Sequence, residues 1–250
     1  MVETVSVGIE GLDEALLKGL PKGYTLLVSG EPGSGTELFA KQFAAAGIGK
    51  ENVLYITTTE RTEDIINTMH EFGWKSDMQI VNIATMYYEE ILAKELEISK
   101  YRQEGIGVND VKNITLDESK IRATNFLTLA NYKVSRLKPP FRIVIDSIDF
   151  FMEIYDRSDV LSTMRLIKAH SQHHGGVVCI TMLKDVYDRA TQSGLEEIAD
   201  CVVELQKEKA QLETKLKLFV KKVRNHPEKG DTLLLEIGDR GFIAKPMKGL

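Results

Sequence analysis

Five short runs along the chain are apolar at nearly every position, and longer segments with apolar residues every three or four positions separate them. These runs are YTLLVSG (24–30), NVLYITTTE (52–60), MQIVNIA (78–84), FRIVIDS (141–147) and GVVCITM (176–182). Strands that are apolar on both faces are typical of a parallel sheet with helices on both sides. The pattern therefore predicts an α/β fold with a mostly parallel twisted sheet and helices on both faces.

The pattern changes after residue 200, where four strand-like segments follow one another without helices between them. CVVEL, LKLFVKKVR, TLLLEI and GFIAK predict an antiparallel C-terminal extension of the sheet. In the second segment, Leu216, Leu218 and Val220 alternate on one face. Lys222 and Arg224 continue that face, and cations on a core-facing side need an anionic partner. A strand end that frays into solvent is the alternative.

The segment between the third and fourth runs is irregular, and residues 86–120 predict a helical and loop insertion. YYEEILAKELEISKYRQ (87–103) has a charged helical pattern, EGIGVNDVKN is loop-like, and LDESKIRATNFLTLANYKVSRL (116–137) is helical again. A helical crossover explains this pattern, and an insert that docks a partner is the alternative. We expect residues 1–250 to form a single domain.

The composition changes this picture little, since 43% hydrophobic and 28% charged residues are ordinary for a globular domain. The formal net charge of −5 argues against a strong electrostatic grip on nucleic acid. No apolar run reaches the length that crosses a membrane. Cys179 and Cys201 lie in separate strand-like runs, which predicts buried, reduced thiols and a cytoplasmic protein.

A glycine-rich stretch, GEPGSGTELF (30–39), joins the first strand-like run to a helical segment. Glycines at this spacing let backbone N–H groups turn inward around phosphate oxygens, and the following helix adds its positive N-terminal dipole. The sequence therefore predicts a phosphate-binding loop. Its candidate nucleotide-binding residues are Gly30, Glu31, Pro32, Gly33, Ser34, Gly35, Thr36 and Glu37.

Three more polar residues are predicted at the carboxyl ends of the strands, where ligands bind in open α/β sheets. Glu60 ends the second run, and Asp146 and Thr181 each lie one residue before the end of the fourth and the fifth run. Asp146 can hold Mg²⁺ through water, and Glu60 can act as the catalytic base that takes the proton of an attacking water. Thr181 is a further candidate for nucleotide binding. Alternatively, Asp146 and Glu60 cap the next helix or pair with lysine.

Four segments together resemble the RecA-fold ATPases of the KaiC/RadA-like group over nearly the whole chain. They are VSVGIEGLDEALLKGLPKGYTLLVSGEPGSG, RIVIDSID, EEIADCVVEL and KKVRNHPEKGDTLLLEIGDRGF. The resemblance implies a RecA-like core that binds ATP or ADP with Mg²⁺ between neighbouring subunits of a ring, often a hexamer. It also implies that Lys222 and Arg224 reach the neighbouring subunit's nucleotide as a trans-acting finger.

Two positions depart from the pattern of that group. Its loop ends in Lys-Thr, whereas this chain has Thr36 and Glu37, and its pair of glutamates after the second strand is Thr59-Glu60 here. The following AKQF keeps the helix in register, which favours replacement of both loop residues over deletion of the lysine. Thr36 brings no cation to the phosphates, and Glu37 brings a carboxylate. We expect Glu37 to ligate Mg²⁺ or to turn outward to Lys41, one helical turn on.

These features predict a KaiC-like, ATP-binding protein with a degenerate phosphate loop, weak binding of nucleotide and Mg²⁺, and weak or absent hydrolysis. We expect a regulatory, signalling or scaffold role. One alternative is a slow ATPase that uses Glu60, Asp146 and trans-acting Lys222 and Arg224, and another is a recombinase-like DNA-binding paralogue. The expected partners are further copies of the chain in a ring, or an active homologue, and not nucleic acid.

Overall fold

The computed structural model describes residues 3–103, 125–209 and 214–247. The strands in this part of the chain are β1 (Thr4–Val5), β2 (Leu20–Pro21), β3 (Thr25–Gly30), β4 (Asn52–Thr57), β5 (Gln79–Asn82), β6 (Phe141–Asp146), β7 (Val177–Leu183), β8 (Cys201–Lys209), β9 (Thr214–Val223), β10 (Thr232–Gly238) and β11 (Gly241–Pro246). The helices are α1 (Leu12–Ala15), α2 (Thr36–Gly47), α3 (Thr62–Glu71), α4 (Ile83–Gln103), α5 (Phe126–Ser135), α6 (Asp149–Ile154), α7 (Arg157–His174) and α8 (Arg189–Ile198).

One nine-stranded sheet has the order β11-β10-β9-β8-β3-β7-β6-β4-β5, and β1 pairs with β2 apart from it. The strands from β8 to β5 in this order are parallel neighbours. β9, β10 and β11 extend the sheet by antiparallel pairing. The α/β class, the mostly parallel sheet and the antiparallel C-terminal extension are therefore confirmed. β3 lies inside the sheet between β7 and β8, so the glycine-rich loop that follows it has strand ends on both sides.

Apolar side chains pack on both faces of the sheet, which explains why the strands are apolar throughout. Within β6, Val144 packs in the hydrophobic cluster that contains the side chains of α2 and α3, whereas Ile143 and Ile145 pack in the cluster that contains those of α5, α7 and α8. All three side chains are fully buried. Each contributes about 1.5–3 kcal/mol by leaving water, so the sheet forms the rigid frame on which the loops are held.

Strand β9 contains an irregularity that corrects the predicted face of its cations. Val202 pairs with Lys222, but the next residue, Val203, pairs with Val220, so one extra residue is inserted in β9. Such a bulge reverses the alternation of side chains beyond it. Val220 and Val223 consequently pack in the same hydrophobic cluster. Lys222 and Arg224 therefore lie on the face opposite Val220, and the prediction of one continuous face was wrong.

The predicted insertion at residues 86–120 is described in part. The charged segment 87–103 is helical as predicted, within α4. This helix begins at Ile83, so the last two residues of the predicted strand are helical, because Asn82 accepts a hydrogen bond from the Thr85 N–H at 3.0 Å. The rest of the insertion and the start of the predicted helix at 116–137 lie outside the described residues. Among the described residues, no helix is long and apolar enough to cross a membrane.

Candidate functional site

The glycine-rich loop leads directly into the first turn of α2. Gly35 precedes this helix with φ of 91°, a left-handed conformation that favours glycine. A Cβ atom at this position would lie 2.7 Å from Cζ of Phe242 on β11, so the loop packs against that strand. The unpaired N–H groups of the first helical turn and the helix dipole make this position suitable for an anion.

A cavity of about 480 Å³ lies between this loop and the ends of β4, β6 and β7. The loop residues that line it are Pro32, Gly33, Thr36 and Glu37, and they face Glu60, Asp146 and Thr181 across the cavity. The structure therefore brings together most of the residues that the sequence singles out. Gly30, Glu31, Ser34 and Gly35 belong to the loop without lining the cavity wall.

Asp146 is held in the cavity wall by two neutral hydroxyl groups. Its side chain is buried, and its two oxygens accept hydrogen bonds from Tyr55 Oη at 2.6 Å and Thr181 Oγ1 at 2.7 Å. Burial and the nearby Asp146 carboxylate raise the pKa of Tyr55 well above its ordinary value, so Tyr55 stays a neutral donor. In the described part of the chain Asp146 has no ion pair, which leaves its charge available to a hydrated cation.

Lys41 is a buried cation that pairs with a residue of the cavity wall, and it does not pair with Glu37. Its Nζ lies 2.6 Å from Oε1 of Glu60, and the lysine side chain is 2% exposed. The ammonium also donates to the backbone carbonyl of Glu37 at 3.4 Å. The expectation that Glu37 turns outward to Lys41 is thus wrong, because Lys41 extends inward from α2 to the turn after β4. Pairing with lysine, the alternative for Glu60, is the arrangement that the structure shows.

The cavity is rich in carboxylates. Its acidic lining residues are Glu37, Glu60, Asp146, Asp149 and Glu153, and no lysine or arginine of the described chain lines it. Asp149 is already engaged, since its carboxylate accepts hydrogen bonds from the Leu183 N–H at 3.1 Å and from Tyr187 Oη at 2.6 Å. Glu37 accepts one from Thr36 Oγ1 at 3.3 Å. An anionic ligand would therefore need cations from elsewhere.

Sequence reasoning missed two of these residues, Tyr55 and Asp149. A tyrosine inside an apolar strand is typical of a core position, and only the register of β4 with β6, in which Tyr55 lies opposite Val144, places its hydroxyl near Asp146. Asp149 follows Asp146 by three residues in DSID, and this spacing was a visible signal.

Lys222 and Arg224 lie at the other edge of the sheet, near the start of β8. Lys222 Nζ donates to the carbonyls of Glu196 at 2.6 Å and Ala199 at 2.8 Å, so it caps the C-terminus of α8. Arg224 pairs with Asp200. Both cations therefore have partners in their own chain, the end of a helix for Lys222 and a buried aspartate for Arg224, and the alternative of a strand end that frays into solvent is wrong.

The sheet order, the glycine-rich loop and the carboxylate at the end of β6 agree with the predicted RecA-like α/β fold. A family model described as "ATPase: KaiC" matches residues 5–248. The chain therefore belongs to the KaiC ATPase family.

Individual relatives agree with this assignment. The circadian clock oscillator protein KaiC of Parathermosynechococcus lividus is 31% identical over 202 residues, which are 78% of this chain and 34% of that protein, so the chain spans about a third of its length. A UPF0273 protein of Thermotoga maritima is 25% identical over 264 residues, covering 100% of this chain and 98% of that protein. The crystal structure of the KaiC-like protein PH0186 from Pyrococcus horikoshii OT3 has a TM-score of 0.65 at 24% identity and covers 98% of this chain and 100% of that chain, a likeness of fold.

Proposed function

We propose that this chain binds ATP or ADP with Mg²⁺ in the cavity beside the glycine-rich loop and hydrolyses ATP weakly or not at all. The observation that carries this proposal is the combination of a glycine-rich loop that opens a helix with a cavity that no cation lines among the described residues. The loop and α2 supply N–H groups for phosphate oxygens, whereas no lysine or arginine of the described residues lines the cavity wall to stabilise the charge of a transferring phosphate.

The residues present fit a nucleotide with Mg²⁺. Gly35 adopts the left-handed turn that opens the helix N-terminus, and the buried Ser34 hydroxyl has no hydrogen-bond partner within the described chain. Asp146, fixed by Tyr55 and Thr181, would hold Mg²⁺ through water, and Glu37 at the cavity wall could be a further ligand. The bound metal would neutralise phosphate charge, which this cavity requires because its own walls are acidic.

Two features of the chain itself oppose turnover. The carboxylate of Glu37 lies where a phosphate approaches, and two like charges at about 5 Å repel by on the order of 3 kcal/mol at a surface-like dielectric. Glu60, the candidate catalytic base, is paired with the buried ammonium of Lys41. The hydrogen bond from Lys41 Nζ occupies the Oε1 atom of Glu60, which would otherwise be open to an attacking water. These features support a regulatory, signalling or scaffold subunit over a fast enzyme.

A slow ATPase is the second candidate, and it is favoured by the shared cavity wall of Glu60 and Asp146. In that case Lys222 and Arg224 of a neighbouring copy would supply the cations, as a trans-acting finger in a ring. Their position at the far edge of their own sheet is compatible with contact to another subunit. They would first have to leave the end of α8 and Asp200. Co-assembly with an active homologue would use the same surface.

Calorimetric titration with ATP, with and without Mg²⁺, tests the proposal. We expect the wild-type chain to bind MgATP, and Asp146→Asn to lose most of the contribution of Mg²⁺ to this affinity. Asp185→Asn is the matched control, because Asp185 is an exposed carboxylate shortly after β7. Phosphate release should stay near background in all three. Absence of nucleotide binding in the wild type would refute the proposal, and release at about 1 s⁻¹ or faster would favour the ATPase.

A further inference from the structure

Phosphate groups bound in the acidic cavity would need a cation beside them, and the lysines near the loop are the candidates. Among the described residues, Lys41 lies on the helix that follows the loop, and Lys184 and Lys207 contact the loop. Lys41 is committed to Glu60. Lys184 donates its backbone N–H to the Gly30 carbonyl at 2.9 Å, but its ammonium lies 2.8 Å from a carboxylate oxygen of Glu204. Each of these two charges is therefore compensated inside the chain.

Lys207 reaches the loop from the neighbouring strand. β8 runs parallel to β3, and the last pair between them joins Gly30 to Leu205. Val203 and Leu205 pack in the hydrophobic cluster that contains the α2 side chains. Because side chains alternate along a strand, Lys207 continues the same face just beyond the end of β3, on the side of the sheet that carries the loop and α2.

The ammonium of Lys207 lies against Gly33, a residue that lines the cavity. Its Nζ is 3.2 Å from the position that a Cβ atom at Gly33 would occupy, and Gly33 has a left-handed φ of 74°. Lys207 is exposed, and within the described chain its side chain has no ion pair and no hydrogen bond. An uncompensated lysine at the rim of a phosphate-type loop is suited to an anion with several phosphate oxygens.

We propose that Lys207 is the phosphate-binding cation of this site and replaces, from β8, the lysine that the loop lacks at Thr36. The ligand class is a nucleoside diphosphate or triphosphate, so the inference rests on the proposed function. Lys207 would act as a binding residue, donating charge-assisted hydrogen bonds to phosphate oxygens from the loop side of the cavity. The carboxylates across the cavity remain available to the metal.

Calorimetry on Lys207→Met tests this inference, with Lys215→Met as the matched control because Lys215 is an exposed lysine of the neighbouring strand β9. We expect Lys207→Met to weaken MgATP binding roughly tenfold or more, since a hydrogen bond to a charged group is lost. Lys215→Met should leave it unchanged, and Lys207→Arg should retain most of it. Binding of adenosine, which has no phosphate, should be the same in all variants.

A second measurement tests whether Lys207 takes the place of the lysine that the loop lacks at Thr36. In a chain that carries Thr36→Lys, the loss caused by Lys207→Met should be smaller than in the wild-type chain, because two cations then serve the same phosphates. Equal MgATP affinity of Lys207→Met and wild type would overturn the inference and leave the proposed function intact. A wild-type chain that binds tripolyphosphate but no nucleotide, with this binding lost in Lys207→Met, would refute the proposed function and the nucleoside part of the ligand class, and would support Lys207 as the phosphate-binding cation. Binding of neither probe would overturn both.

Discussion

The two edges of the parallel sheet each hold a buried aspartate, but with opposite surroundings. At the edge where the strands begin, Asp200 is fully buried and accepts hydrogen bonds from Lys168 Nζ at 2.6 Å, the Thr25 N–H at 3.0 Å and Arg224. At the edge where they end, Asp146 is met by the hydroxyls of Tyr55 and Thr181. Asp200 is thus paired with cations of the chain at the first edge, whereas Asp146 at the second has no ion pair among the described residues.

This difference separates a structural cluster from a binding site. A buried carboxylate surrounded by cations is stabilised in the folded chain itself, and removing either partner leaves the other charge exposed to a low dielectric. A buried carboxylate that meets neutral donors is held in place and keeps its charge for a ligand. Lys222, which caps the end of α8, lies at the edge where the strands begin and Asp200 is paired with cations. The acidic cavity lies at the edge where the strands end and Asp146 meets two hydroxyl groups.

The largest effect that follows from this comparison is on stability. Asp200→Ala should lower the free energy of unfolding by about 3 kcal/mol, because it leaves Lys168 and the buried Thr25 N–H without their acceptor. Asp146→Asn should cost less, since an amide oxygen can still accept from a hydroxyl. Urea unfolding measures both, with the exposed Asp231→Ala as control. Equal losses at the two edges would contradict the comparison.

A smaller effect is expected on catalysis at the cavity edge. Thr36→Lys together with Glu37→Thr removes one carboxylate and adds one cation, so phosphate release should rise at least tenfold. One preorganised contact to a transition state is typically worth about 10²–10³ in rate. A malachite-green assay of released phosphate measures this. The further change Glu60→Gln should abolish the gain if Glu60 serves as base once the loop is restored. An unchanged rate in the restored chain would show that the loop is not what limits turnover.

Local patterns were sufficient to predict the strands, the loop and the convergence of Glu60, Asp146 and Thr181. Burial on both sheet faces makes strands apolar throughout, and ligands meet at the carboxyl ends of parallel strands. These rules depend on a short stretch of chain, or on topology alone. They were therefore accurate to within a few residues, as with the strand that ends at Thr57, three residues before Glu60.

The contacts that sequence could not predict depend on register and on competition between partners. Lys41 had two carboxylates within reach, and only the folded position of the turn after β4 selects Glu60 over Glu37. The bulge in β9 is one extra residue, yet it turns Lys222 to the opposite face. Lys207 reaches the loop because of the pairing between β8 and β3, which no periodicity within β8 reveals.

The smallest effect is a pH dependence at the edge where the strands begin. Burial, and secondly the charge of Asp200, raise the pKa of the Cys201 thiol to about 12. In the unfolded chain this thiol ionises near pH 8.5, as a free cysteine does. The native state therefore favours the neutral thiol, and this contribution to stability is complete below about pH 8.5 and is lost as the pH rises towards 12.

Between pH 7.5 and pH 9.5 the expected loss from Cys201 is about 1 kcal/mol of unfolding free energy. Cys201→Ala removes the titrating group and keeps Cys179, so the stability of this variant should fall less steeply over the same range. Urea unfolding of both proteins at each pH measures the difference in slope, which is independent of the constant cost of the smaller side chain. Parallel curves would show that Cys201 reaches solvent in the native state, and the edge around Asp200 would then be less closed than its buried ion pairs indicate.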